Sequence, residues 1–135
     1  MKPHPVLTIL AACLLSCSIC IAQTPPAGTP MGQAVPTTAD KARLTKLEKE
    51  FTAAKMALAK NPKDKKSQKK FATIGALYGH ESMTSPVLPP RVKYRQALHI
   101  YREVLKVDPT NPVAKQDSDM MIKIYKSMGR PVPKD

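Results

Sequence analysis

The stretch "VLKVDPTNPVAK", residues 104–115, places two prolines three positions apart in a sequence that is otherwise typical of α-helix. A proline in a helix interior costs about 3 kcal/mol relative to alanine, so the pair predicts a break. Asp108 precedes Pro109 and is pushed out of the α region, which ends one helix. Asn111 can then cap a second helix that has Pro112 at its first position, where the missing N–H is no loss. The stretch therefore predicts an antiparallel hairpin of two helices.

A similar corner occurs 47 residues earlier in the chain. The segment "LAKNPKD" at residues 58–64 aligns with residues 105–111, which brings Pro62 and Asp64 onto the proline and the capping residue of the later corner. The order of helix, proline, capping residue and helix recurs. We interpret the recurrence as a degenerate internal duplication.

Apolar residues recur at three- and four-residue steps on both sides of each corner, which is the period of an amphipathic helix. This period predicts four helices, over about residues 40–60, 65–78, 91–107 and 112–129. The segment "GHESMTSPVLPP" at residues 79–90 contains three prolines and lacks the period, so we expect a loop there. No run alternates apolar and polar residues for long enough to form a strand. The predicted fold class is all-α, with two antiparallel helix-turn-helix hairpins.

The side chains expected to form the core share this helical spacing. They are Leu44, Leu47, Phe51, Ala54 and Leu58 in the first helix, Ser67, Phe71, Ile74 and Tyr78 in the second, Tyr94, Ala97, Leu98, Tyr101, Val104 and Leu105 in the third, and Ala114, Met121, Tyr125 and Met128, widened by Met120 and Ile124, in the fourth. The three methionines could instead line an adaptable protein-binding groove. Their helical spacing favours the core.

The first 22 residues are typical of a secretory signal peptide. Lys2 precedes an apolar run over residues 6–22, which is too short for a comfortable membrane span. Small side chains just before Gln23 favour cleavage there. Alternatively, "LLSC", ending at Cys17, resembles a bacterial lipobox and would leave a lipid-anchored cysteine; residues 10–13 fit the same pattern after a shorter apolar run. The expected location is periplasmic or secreted, with a membrane-anchored lipoprotein as the alternative.

The rest of the chain has neither cysteine nor glycosylation sequon. All three cysteines lie within residues 1–22, so the mature chain can form no disulfide and no thiolate metal site. Both absences suit a bacterial exported protein. Removing the signal lowers the net charge from +12 to +11, which predicts attraction to polyanions, anionic lipid or acidic partners. Residues 23–39, with four prolines and two glycines, predict a flexible linker before a domain over 40–130 and a tail over 131–135.

Aromatic, small and proline residues recur in a fixed order in the helical domain: Phe71, Ile74, Gly75 and Tyr78 in a first part, and Ala97, Tyr101 and Pro109 in a second. In this order the domain resembles the tetratricopeptide repeat family, whose unit is a helix–turn–helix of 34 residues and which prefers a small residue where this chain has Val104. Small residues at positions 75 and 97 would let two helices approach closely. The chain departs from the pattern by about ten extra residues between the two parts, an insert that we assign to residues 79–90.

The resemblance implies a concave surface that binds a protein or peptide. Its lining, carried onto this chain, is Lys66, Lys69, Thr73 and Ala76 from the second helix and Gln116, Met120 and Lys123 from the fourth. Arrays of such repeats usually need three or more units, and this chain supplies two hairpins. We therefore expect self-association or a partner that covers an open helix face.

Motifs for catalysis are not apparent. His80 and His99 lack the spacing of a metal pair, and the sequence has no nucleophile elbow, phosphate-binding glycine loop or dinucleotide fingerprint. We expect no enzyme, no metal and no cofactor, but an exported adaptor or scaffold of the cell envelope.

Seven lysines between residues 55 and 70 suggest an alternative, a basic binder of envelope polyanions such as anionic lipid, cell-wall polymer or nucleic acid. The aromatic residues occupy core positions, which argues against nucleic acid. The simpler interpretation of the lysines is a solvated surface.

Overall fold

The computed structural model describes residues 35–134, so the predicted signal peptide and most of the predicted linker lie outside it. Four helices form this part of the chain: α1 (Thr38–Lys60), α2 (Lys65–Thr84), α3 (Pro90–Val107) and α4 (Pro112–Ser127). No strand occurs within residues 35–134, which confirms the all-α prediction there. None of these four helices combines the length and the apolar character that crossing a membrane requires.

Side-chain caps determine where three of the helices begin. A capping box starts α1: the Thr37 hydroxyl accepts from the Asp40 N–H, and the Asp40 carboxylate accepts from the Thr37 N–H. The carboxylate of Asp64 accepts from two backbone N–H groups of α2, and the Asn111 side chain accepts from one of α4. Both predicted capping residues are therefore confirmed, and the capping box lets α1 begin two residues before the predicted position.

The two proline corners have the same backbone geometry. In each, the N–H of the capping residue donates to the carbonyl three residues earlier: Asp64 to Asn61 at 3.1 Å, and Asn111 to Asp108 at 3.2 Å. Each corner joins the end of one helix to the start of the next in four residues. The predicted helix breaks at both corners are confirmed.

Contacts along α1 and α2 show that these helices run antiparallel. Near the start of α1, Arg43 Nη2 lies 2.9 Å from Glu81 Oε1, close to the end of α2. In the middle of α1, the Phe51 ring lies 5.2 Å from the Phe71 ring, measured between centroids. Helix α2 also packs against α3 and α4, so it is the central helix of the described residues.

Two glycines allow α3 to lie against the backbone of α2. A Cβ atom at Gly79 would stand 2.5 Å from Cε1 of Tyr101, and one at Gly75 would stand 2.5 Å from Cγ2 of Val104. Real Cβ atoms essentially never approach other atoms so closely, so a side chain at either position would force its neighbour to move. Tyr101 and Val104 are fully buried as a result. The predicted close approach at position 75 is confirmed.

The loop predicted over residues 79–90 is wrong for residues 79–84, which form the last part of α2. Glu81, Ser82 and Met83 are buried there. The helical period was hidden because this face of α2 is made of small and polar residues rather than large apolar ones. The connection to α3 is reduced to residues 85–89, so the insert assigned to residues 79–90 is mostly helix.

The core contains most of the side chains expected from the helical spacing. Its buried apolar members are Leu44, Phe51, Ala54, Phe71, Ala72, Tyr78, Met83, Ala97, Leu98, Ile100, Tyr101, Val104, Ala114 and Met121. Three residues of the predicted α4 stripe differ: Met120 is 43% exposed, Ile124 47% and Met128 53%. For all three the core prediction is wrong, because no helix of the described residues covers that side of α4.

The glycine contact predicts an unusual effect of alanine. Replacing glycine by alanine in a helix interior normally stabilises the helix by up to about 1 kcal/mol. For Gly79→Ala we expect the free energy of unfolding to fall by about 1–2 kcal/mol, because the new methyl overlaps the buried Tyr101 ring. Urea denaturation followed by circular dichroism measures the change. Thr73→Ala, on the exposed side of α2, is the control and should leave stability equal or slightly higher. A more stable Gly79→Ala variant would contradict the contact.

The second corner predicts a dependence of stability on acid. Hydrogen bonds from the hydroxyl and N–H of Thr110 hold the pKa of Asp108 below its usual value. A carboxylate with a lowered folded pKa stabilises the protein above its unfolded pKa, about 3.9, and that contribution is lost as the pH falls through the folded value. Asp40 and Asp64 have lowered pKa values of the same sign.

We therefore expect the free energy of unfolding to decrease below about pH 4, and to decrease less in Asp108→Asn and Thr110→Val. Urea denaturation at a series of pH values from neutral to strongly acidic measures the slope. Thr52→Val is the control, because the Thr52 hydroxyl donates to a backbone carbonyl, which does not titrate, rather than to a carboxylate. An unchanged slope in both corner variants would show that Asp108 carries none of the acid dependence.

Candidate functional site

An apolar groove of about 340 Å³ lies between the start of α3 and the end of α4. Its apolar lining is Tyr94, Met121, Ile124, Tyr125 and Met128, together with Pro90 at the first position of α3. Two arginines, Arg91 and Arg130, line the same space. The groove therefore joins an apolar floor with cationic side chains. We call it the α3–α4 groove.

Local sequence explains how the groove is built. Residues 121, 124, 125 and 128 follow one another at three- and four-residue steps, so they share one side of α4. Gly129, with φ at 64°, then ends the helix in the left-handed region that suits glycine. The turn is closed by a hydrogen bond of 2.9 Å from the Arg130 N–H to the Tyr125 carbonyl. This turn sets Arg130 beside the groove.

The tail after α4 folds back onto α3. Val132 packs against the hydrophobic core, and Arg102 Nη2 donates to the carbonyl of Pro133 at 2.7 Å. The tail is therefore fixed at two points. It leaves the exposed side of α4, with Met120, Ile124 and Met128, open to solvent.

Positive charge surrounds the groove. Besides the two lining arginines, α4 carries Lys123 and Lys126, both exposed. Asp119 is the exposed acidic residue of this helix. An acidic or neutral ligand would therefore be favoured over a basic one.

A buried carboxylate fixes α4 against its neighbours. Asp117 is buried, and its Oδ2 accepts a hydrogen bond of 2.7 Å from the Tyr101 hydroxyl of α3. The same oxygen lies 3.0 Å from Nδ1 of His80 on α2. Burial, together with the Asp117 carboxylate, raises the pKa of Tyr101, so its hydroxyl stays protonated and donates.

The sequence contains one signal for the contact of Asp117 with α2 and α3, which the helical spacing of apolar residues alone does not reveal. Asp117 lies three residues after Ala114 and four before Met121, which is the buried side of α4. A charged residue on that side requires a partner, because an unpaired buried charge is strongly unfavourable. That His80 is such a partner depends on the extension of α2, since the residue was expected in a loop.

His99, Glu103 and Glu81 make contacts that are separate from the contact of Asp117 with His80. Glu103 Oε1 lies 2.6 Å from Lys55 Nζ and 3.5 Å from His99 Nε2. Glu81 pairs with Arg43 rather than with the adjacent His80. Within residues 35–134, no group of three or more histidine, cysteine, aspartate and glutamate side chains is arranged to hold a metal ion.

The seven residues predicted to line a concave surface are divided between α2 and α4, and one of them is buried. Ala76 is 5% exposed and faces the core, so it is unavailable to a partner. The other six are exposed: Lys66, Lys69 and Thr73 on α2, and Gln116, Met120 and Lys123 on α4. None of the seven lines the α3–α4 groove. The two lysines of α2 lie at its start, whereas the groove lies beyond its other end, because α2 and α3 run antiparallel.

Comparison with known proteins finds no matching family model, no similar curated protein and no similar solved structure. The function of this chain therefore has to follow from its own geometry.

The buried carboxylate predicts a specific effect of removing one hydroxyl. In Tyr101→Phe, the carboxylate of Asp117 loses the hydrogen bond that the Tyr101 hydroxyl donates to it. Hydrogen bonds to charged groups contribute about 1.5–3 kcal/mol. We expect the free energy of unfolding, measured by urea denaturation, to fall by that amount. Tyr94→Phe is the matched control, because Tyr94 is 37% exposed, and its change should be within about 0.5 kcal/mol. Equal changes in the two variants would exclude this role of Asp117.

Proposed function

We propose that this chain is a non-enzymatic helical-repeat adaptor of the cell envelope that binds another protein through the α3–α4 groove. The observation that carries the proposal is the uncovered apolar side of α4, where Ile124 and Met128 are each about half exposed beside a formed groove. A formed apolar groove with a few charged groups at its edge is the default hypothesis for a binding site. The export component rests on the sequence of residues 1–22, which lie outside the described part of the chain.

Three observations support a repeat architecture similar to that of tetratricopeptide repeats. Helix α2 packs against both α3 and α4. The two proline corners have the same pattern of backbone hydrogen bonds, and Gly75 permits close packing of α2 and α3. In such an array α2 and α3 form one unit and α4 is the first helix of the next. Within the described residues no helix follows α4, so the side of α4 that a next repeat would cover in such an array is exposed.

An amphipathic helix of the partner is the occupant that fits this position. Such a helix would take the place of the next repeat helix and place its apolar residues on Tyr94, Ile124 and Met128. From residue 121 to residue 128, α4 rises by about 10 Å, which is two helical turns and matches anchors at i, i+4 and i+7. The partner helix should carry acidic residues at its flanks, facing Arg91 and Arg130.

A second candidate function is supported by a different observation. The exposed lysines around the first corner and the start of α2 form a dense positive surface: Lys60, Lys63, Lys65, Lys66, Lys69 and Lys70. They would support electrostatic binding of an envelope polyanion. Such binding weakens steeply and log-linearly with salt, whereas an apolar anchor in a groove loses much less affinity.

A synthetic amphipathic peptide tests the groove directly. The probe carries leucine at i, i+4 and i+7 with glutamate at its flanks, and fluorescence anisotropy measures its dissociation constant. We expect Ile124→Ser to weaken binding about five- to tenfold, because it removes an apolar contact at the centre of the groove. Leu77→Ser is the control, since Leu77 is 56% exposed on α2 and outside the groove. Equal losses in the two variants, or no binding by the wild-type protein, would refute the site.

Crosslinking extends the test to the natural partner. A photoreactive residue in place of Met128 lies in the groove, and one in place of Met56, equally exposed on α1, is the control. We expect adducts from position 128 alone, mapped by mass spectrometry to an acidic amphipathic helix. Adducts to lipid, or to a second copy of this chain, would contradict the proposal.

A further inference from the structure

A second concave surface, which we call the α3 basin, lies next to the α3–α4 groove. It has a volume of about 640 Å³, and its basic lining consists of Arg91, Arg95, His99 and Arg102 of α3 and Lys134 of the tail. The four residues of α3 recur at three- and four-residue steps and so follow one side of the helix. The basin is therefore a row of cationic and imidazole groups about one helical turn apart.

Part of this row is already engaged within the chain. His99 contacts Glu103, and Arg102 donates to the carbonyl of Pro133. Arg91, Arg95 and Lys134 are exposed, and no ion pair found within residues 35–134 involves them. Glu103, the acidic residue of α3, forms a salt bridge with Lys55. These three cations are the groups that the basin offers to a ligand.

The groove and the basin are adjacent. Arg91 lines both surfaces. The tail is also shared, because Arg130 lines the groove, whereas Lys134 reaches the basin after the chain is fixed at Pro133. A ligand segment that leaves the groove on the Arg91 side would therefore lie next to the basin.

From this adjacency, and from the exposed cations of the basin, we infer that the groove-bound helix of the partner is followed or preceded by a short acidic segment, which binds the α3 basin. The inference rests on the proposed function and adds the chemistry of the adjoining segment. Guanidinium groups bind carboxylates in a bidentate, planar geometry, which suits glutamate or aspartate side chains. From Arg91 to Arg102 the helix rises by about 16 Å, the length of about five extended residues. A phosphate polymer would match the cations but would have no use for the apolar groove.

Paired synthetic peptides test the acidic segment. Both contain the same amphipathic helix, one extended by a run of glutamates and the other by glutamines, with the extension at either end in separate peptides. Their dissociation constants are measured for the wild-type protein at low and high salt. With the extension at the end that leads past Arg91, we expect the glutamates to tighten binding about tenfold at low salt, and less at high salt.

Two double variants test where the glutamate extension binds. In Arg95→Gln/Lys134→Gln we expect the gain in affinity from the glutamates to fall to about twofold or less, because two exposed cations of the basin are removed. Lys60→Gln/Lys63→Gln is the matched control, since it removes the same net charge at the first corner, and it should keep nearly the full gain. A gain that survives in the basin variant, or that both variants lose equally, would overturn the inference.

The remaining outcomes separate this inference from the proposed function. If both peptides bind the wild-type protein equally well, the groove stands and the acidic segment is wrong. If neither binds, the proposed function fails. Oligothymidylate is the phosphate probe: if it binds as tightly as the acidic peptide, loses affinity in the basin variant and is unaffected by Ile124→Ser, the basin is a polyanion site and the inference is overturned.

Discussion

The close approach of α3 to α2 is the constraint on which the rest of the structure depends. It is possible because Gly75 and Gly79 leave the surface of α2 bare where Val104 and Tyr101 pack. The position of the Tyr101 ring in turn places its hydroxyl against Asp117, which fixes α4 to both preceding helices. Two missing side chains thus determine where the last helix of the described chain lies, and with it both candidate surfaces.

The fixed position of α4 has a functional consequence. One side of this helix is buried against α3 and α2, and the other has no helix to cover it within residues 35–134. An adaptor needs such an uncovered side, because binding energy comes from apolar surface that the free protein leaves in water. In the proposed function, the positive charge along α3 and the tail would favour acidic partners over basic ones.

Most of the fold could be predicted because its signals are local. The corners depend on a proline and a capping residue within four positions, and both corners form as expected. The end of α2 could not be predicted in the same way. Its helical character over residues 79–84 is stabilised by contacts of Gly79 with α3 and of Glu81 with α1, and small or polar residues carry no hydrophobic period.

Sequence by itself determined that there are four helices, the caps at Asp64 and Asn111 and the two proline corners, because each depends on the backbone chemistry of neighbouring residues. Only the tertiary structure decided which side of each helix is covered. The spacing of the α4 methionines is the same whether they are buried or exposed, and the outcome was Met121 inside with Met120 and Met128 outside. Likewise the groove and the basin join residues of α3 with residues of α4 and the tail. Such juxtapositions depend on how whole helices pack, which no local pattern encodes.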